Sequence, residues 1–110
     1  SGNGKKIFIF GDMLELGELS EEQHISVGQE CDKKNLYAVL TYGRQSRSTY
    51  ETIKNVKINR HFDSKSELIE FFNEIVSSND KVLVKGSRGM KMETIVESLL
   101  NKWYISFSTI

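Results

Sequence analysis

Apolar residues fall along this chain in two kinds of run. Some are continuous, as in Ile7-Phe8-Ile9-Phe10 and Val82-Leu83-Val84; others recur every three or four positions, as in Leu68, Phe71, Phe72, Ile75 and Val76. A short continuous run bounded by polar residues reads as a strand covered on both faces, and the second spacing is that of a helix with one buried stripe. Strands are therefore predicted at Lys6–Phe10, Leu36–Thr41, Val56–Arg60 and Lys81–Val84. A final strand is predicted at Trp103–Phe107, for which antiparallel pairing on an edge is allowed. Val56–Arg60 alternates and reads as a short edge strand. Helices are predicted from Ser20 to about Lys33, from Ser46 to about Lys54, from Ser64 up to Asn79-Asp80, and from about Met90 to Asn101 with Met92 and Ile95 inward. Ser20-Glu21-Glu22-Gln23 and Ser64-Lys65-Ser66-Glu67 both have capping-box spacing. His24, Val27, Gly28 and Cys31 mark the inner face of the first helix, where Gly28 suggests close packing of helix on sheet.

Strands alternating with helices imply βαβ units and a parallel sheet. Right-handed crossovers then favour an order with the second and third strands on one side of the first and the Val82 strand on the other. The expectation is an α/β, Rossmann-like three-layer sandwich with a mostly parallel sheet of about five strands. Its ligand crevice would lie beyond the carboxyl ends of the first strand and the Val82 strand, where the chain reverses direction across the sheet.

Composition narrows the function classes. The length of 110 residues suits one domain, expected at residues 5–110, with Ser1-Gly2-Asn3-Gly4 (residues 1–4) read as the remnant of a cut or cloning site. Fifteen basic and fifteen acidic residues cancel, which argues against a nucleic-acid module. No apolar run is long enough to span a membrane. Cys31 is the single cysteine, so no internal disulfide forms, and a cytoplasmic location is expected.

Two loops meet the predicted crevice. Lys85-Gly86-Ser87-Arg88-Gly89-Met90-Lys91 is basic and carries two glycines ahead of a predicted helix, where unpaired N–H groups and the helix dipole attract anions. A Gly-x-x-Gly turn after a strand is also common without any ligand. Gly11–Glu18 is acidic; Asp12 there suits contact with a cation, a hydroxyl or an amine, or equally a turn that bonds its own backbone. Arg44 ends a strand at the same face. His24 has no second His or Cys at metal-ligand spacing and reads as a structural histidine, and His61 reads as a strand-end residue. The nucleotide-binding signatures G-x-x-x-x-G-K-[ST] and G-x-G-x-x-G are absent, and no G-x-S-x-G turn presents a serine nucleophile.

Phe10-Gly11-Asp12-Met13-Leu14-Glu15-Leu16-Gly17-Glu18, with His24 and Gly28 beyond it, resembles the conserved core of the C-terminal domain of the Mur ligases. Val82-Leu83-Val84-Lys85-Gly86-Ser87-Arg88-Gly89-Met90-Lys91-Met92-Glu93 resembles that domain's later signature. The resemblance covers about Lys5 to Leu100. It implies the third domain of an ATP-dependent ligase that joins D-alanyl-D-alanine to UDP-N-acetylmuramoyl-tripeptide in peptidoglycan precursor synthesis. In such an enzyme the tripeptide carboxylate becomes an acyl phosphate, which the dipeptide amine attacks, and the third domain contributes acceptor binding and domain closure. The resemblance puts substrate contacts at Asp12, Lys85, Gly86, Ser87, Arg88 and Lys91. ATP and Mg would belong to the full-length enzyme and none to this stretch alone, which lacks the phosphate loop, the metal-binding residues and the asparagine-rich segment that opens the family's domain. Without those parts it is expected to be inactive by itself. A free-standing small-anion-binding module and a partner-binding regulatory domain are the other readings.

Overall fold

The computed structural model describes residues 4–87 and 90–92 and the backbone of residues 104–109. The chain runs β1 (Lys6–Gly11), α1 (Ser20–Cys31), β2 (Ala38–Tyr42), α2 (Ser46–Thr52), β3 (Ile58–Phe62), α3 (Lys65–Ile75), β4 (Lys81–Gly86) and β5 (Tyr104–Thr109), with a 3-10 turn at Gly17–Leu19 before α1. The five strands form one sheet in the order β3-β2-β1-β4-β5. Every neighbouring pair is parallel. The expected order and switch point are therefore present.

One detail of the expectation is corrected. β5 does lie on the edge, but it pairs with β4 in parallel, Lys81 opposite Tyr104 and Gly86 opposite Thr109. Apolar pattern carries no information about strand direction. A parallel partner needs a crossover of about a dozen residues or more, and residues 87–103 supply that length. The helix expected over about Met90 to Asn101 lies outside the described residues beyond Met92.

β1 and β2 read as continuous apolar runs because both faces are covered. The same expectation fails for β4, which alternates: Val82 and Val84 are buried, but Leu83 between them is 36% exposed. On one face Ile7, Ile9, Leu40, Val82 and Val84 pack with Leu68 and Phe72 of α3 and with Met92. On the other, Phe8, Phe10 and Val39 pack with Met13, Cys31 of α1 and Ile53 after α2. Burial pushes the Cys31 thiol up to about 12, with Asp32 and Glu30 adding to the shift.

Of the two capping boxes, Ser64 caps α3, its Oγ accepting the Glu67 N–H at 3.3 Å. Ser20 caps nothing. The 3-10 turn before it places Leu19 at the cap position, and the Ser20 hydroxyl instead bonds Gln45 and approaches His24. The Gly28 expectation also changes. A Cβ there would lie 2.8 Å from the Thr49 carbonyl and 2.9 Å from Thr52 Cβ, so the close approach is of α1 to α2, not of helix to sheet.

Candidate functional site

At the carboxyl ends of β1 and β4 the two predicted loops form one rim. β1 and β4 are register neighbours up to Phe10 opposite Lys85. Immediately beyond, the Ser87 N–H donates to the Asp12 carbonyl at 3.0 Å, and the Leu14 N–H donates to Ser87 Oγ at 2.8 Å. Ser87 is thus the clamp between the acidic and basic loops, and it is buried. The Met90 N–H then closes a turn on the Ser87 carbonyl at 2.9 Å.

Gly11 and Gly86 sit side by side at this point, and the space that their side chains would take holds Met92. A Cβ on Gly11 would lie 2.5 Å from the Met92 sulfur, and one on Gly86 2.6 Å from Met92 Cγ. The glycines let the chain beyond β4 fold down against the strand ends.

Of the acidic loop's carboxylates, Asp12 turns into the fold, while Glu15 and Glu18 are exposed. Asp12 is 4% exposed. Its carboxylate accepts the Ser46 N–H at 2.6 Å and the Gln45 N–H at 3.0 Å, which are unpaired donors at the start of α2. Gly43 makes room for it: its φ is +113°, and a Cβ there would lie 2.5 Å from Asp12 Oδ1. His24 fixes the next residue. Its Nε2 accepts the Met13 N–H at 3.0 Å, and its Nδ1 lies 2.7 Å from the Ser20 carbonyl, so Nδ1 carries the donating proton. His24 is wholly buried, as a structural histidine should be.

The basic loop is arranged differently. Lys85 is half-buried and Lys91 is exposed. Lys91 holds φ at +52°, and its carbonyl accepts from Lys65 Nζ at 2.9 Å. Arg88, the cation expected to do most, lies outside the described residues, as does Gly89. Arg44 is exposed at the turn after β2. His61 sits near the end of β3, its Nδ1 2.8 Å from Thr41 Oγ1 and its ring 5.8 Å from that of Tyr50. Burial first, and the Arg47 cation second, hold its pKa below the ordinary 6.5.

The clamp residue Ser87, the Asp12 cap and the His24–Met13 bond were not separable in the sequence from ordinary loop residues. Their partners lie far along the chain, and only the sheet order brings them together.

The family comparison matches this architecture. The sequence model of the family described as Mur ligase, glutamate ligase domain, covers residues 1–88. The chain belongs to the Mur ligase family. A UDP-N-acetylmuramoyl-tripeptide--D-alanyl-D-alanine ligase of Bacillus subtilis is 38% identical over 102 residues, 90% of this chain and 22% of the relative. The ligase of the same name from Haemophilus influenzae is 39% identical over 103 residues, 88% of this chain and 22% of the relative. That of Escherichia coli is 35% identical over 98 residues, 87% of this chain and 21% of the relative. The chain spans about a fifth of the length of the curated relatives it matches. Within this Mur ligase domain, the two stretches that carry the resemblance are the two loops that Ser87 joins.

Proposed function

We propose that this Mur ligase domain belongs to an ATP-dependent ligase that joins D-alanyl-D-alanine to UDP-N-acetylmuramoyl-tripeptide, and that its rim presents the incoming dipeptide. The observation that carries the reading is the junction of the β1 and β4 loops at the switch point, with Lys85 half-buried and Lys91 exposed on its β4 side. The dipeptide has an amine at one end and a carboxylate at the other. Arg88 suits a two-pronged bond to that carboxylate. Lys85 and Lys91 suit phosphate charge as the domains close. Gly86 and Ser87 shape the loop that carries these cations. Asp12, committed to α2, acts as a positioning residue for the rim.

Nucleotide and metal are assigned to the rest of the ligase. The described residues include no group of three His, Cys, Asp or Glu able to hold a metal ion, and the Asp12 carboxylate already serves two N–H groups. The protein would work in the cytoplasm. No described helix is long and apolar enough to cross a membrane.

The test is amide formation. The full-length protein, given ATP, Mg, UDP-N-acetylmuramoyl-tripeptide and D-alanyl-D-alanine, should release phosphate and the joined product, while the 110-residue chain should release neither. A full-length protein that turns over ATP with another acceptor and ignores D-alanyl-D-alanine would overturn the reading.

A further inference from the structure

We infer that Lys65, at the start of α3, is a positioning residue for the basic loop: it holds the loop's far end by the Lys91 carbonyl and so sets where the loop's cations stand. The inference deepens the ligase reading above and rests on it for the identity of the acceptor.

Lys65 breaks a local rule. It is the first residue of α3, where the helix dipole disfavours a cation. The rest of that turn obeys: Ser64 caps it, and Glu67 places an acid there. Helix stability gives no reason for a lysine at this position, and such a local conflict points to a task elsewhere in the fold.

The side chain supplies that task. It is half-buried and crosses from α3 to the loop after β4. Its Nζ donates to the Lys91 carbonyl at 2.9 Å, across twenty-six positions of the chain. The same ammonium stands 5.8 Å from the centre of the Tyr42 ring, at the end of β2. Tyr42 is itself packed against the core on the α3 side of the sheet. A lysine resting on an aromatic face has fewer orientations to give up when its hydrogen bond forms.

The loop then has a fixed point at each end. At Ser87 it is bonded to the Asp12 carbonyl and the Leu14 N–H. At the other end Met92 is buried against Gly11 and Gly86. Lys91 comes just before Met92 and holds φ at +52°, a conformation that a lysine keeps where its surroundings impose it. Lys65 bonds that residue. The Met90 N–H closes the turn on the Ser87 carbonyl. Arg88, assigned above to the dipeptide carboxylate, lies in sequence between the two fixed points. Ser87 and Met92 are buried, so replacing either disturbs the strand ends. Lys65 is the anchor that can be removed without opening the core.

The test uses the full-length protein with two substitutions. Lys65→Met keeps the stem over Tyr42 and removes the donor; Lys65→Arg keeps both charge and donor. Hydrogen exchange is read by mass spectrometry. The Met90 amide should exchange about fivefold faster in Lys65→Met, and Lys65→Arg should restore most of its protection. In steady-state kinetics, Lys65→Met should raise the KM for D-alanyl-D-alanine about fivefold, with the KM for ATP and the thermal midpoint unchanged, and Lys65→Arg should stay close to the parent. Unchanged exchange in Lys65→Met would overturn the inference. If the dipeptide KM rose all the same, Lys65 would be a substrate contact and not a positioning residue. Faster exchange across the whole domain, with a lower thermal midpoint, would reduce Lys65 to a structural role and equally overturn it. So would faster exchange confined to the loop with the dipeptide KM unchanged. The ligase reading fails separately: an enzyme that ignores D-alanyl-D-alanine leaves the exchange comparison intact, and KM is then compared for the acceptor it does use.

Discussion

The acidic and basic loops are joined by Ser87, yet the charges nearest that junction, Asp12 on one side and Lys85 and Lys91 on the other, are placed in opposite ways. On the β1 side, Asp12 is buried and both of its oxygens are taken by backbone N–H groups at the start of α2. On the β4 side, Lys91 is exposed and Lys85 half-buried. A carboxylate can be drawn into a fold when two N–H donors replace its water, because charge-assisted bonds to backbone donors offset the desolvation. The lesson is that a charge facing a crevice in the sequence need not face it in space. Asp12 belongs to the frame, whereas the described cations of the β4 loop lie nearer the solvent.

The comparison can be broken by substitution on either side. The largest effect is expected on the frame. Asp12→Ala leaves the Gln45 and Ser46 N–H groups without their acceptor, at a cost of about 1–3 kcal/mol each. Lys85→Ala should cost under about 1 kcal/mol. Urea unfolding of both variants checks the contrast, and equal losses would erase the distinction. Next, Gly43→Ala forces a side chain into a positive φ and toward the Asp12 carboxylate, a loss of about 1–3 kcal/mol in the same measurement.

The smallest effect is at His61, outside the rim. Its pKa in the fold lies below the ordinary 6.5, chiefly through burial and then through Arg47. As pH falls through 6.5 the unfolded chain takes up the proton first. The stability that neutral His61 contributes is full above 6.5 and is lost as pH falls toward its lower folded value. Denaturation midpoints should drop between pH 7 and 5, and His61→Asn should flatten that part of the profile. An unchanged profile in the variant would assign the slope elsewhere.

How much of this was legible follows from where the partners lie. The sheet order and the meeting of the two loops could be read from alternating strands and helices, because crossover handedness is set by local chirality. Ser64 could be read as a cap because its partner, Glu67, is three residues away. Ser20 has the same motif but is claimed by Gln45, twenty-five residues on, and by His24 within its own helix. Gly28 was legible as a point of close approach, but what approaches is α2, which only the fold brings near. The direction of β5 was not legible, since apolar pattern is the same in parallel and antiparallel pairing. Asp12 could be reduced to two roles but not to one, because the deciding N–H groups belong to Gln45 and Ser46.

The central claim is that the basic side of the rim receives the dipeptide carboxylate. It is tested most directly by steady-state kinetics of Arg88→Ala in the full-length ligase, with D-alanyl-D-alanine varied and the other substrates saturating. Loss of a charge-assisted pair predicts a KM for the dipeptide raised by about tenfold or more, with the KM for ATP and the thermal midpoint unchanged. An unaltered dipeptide KM in a folded, active variant would contradict the account.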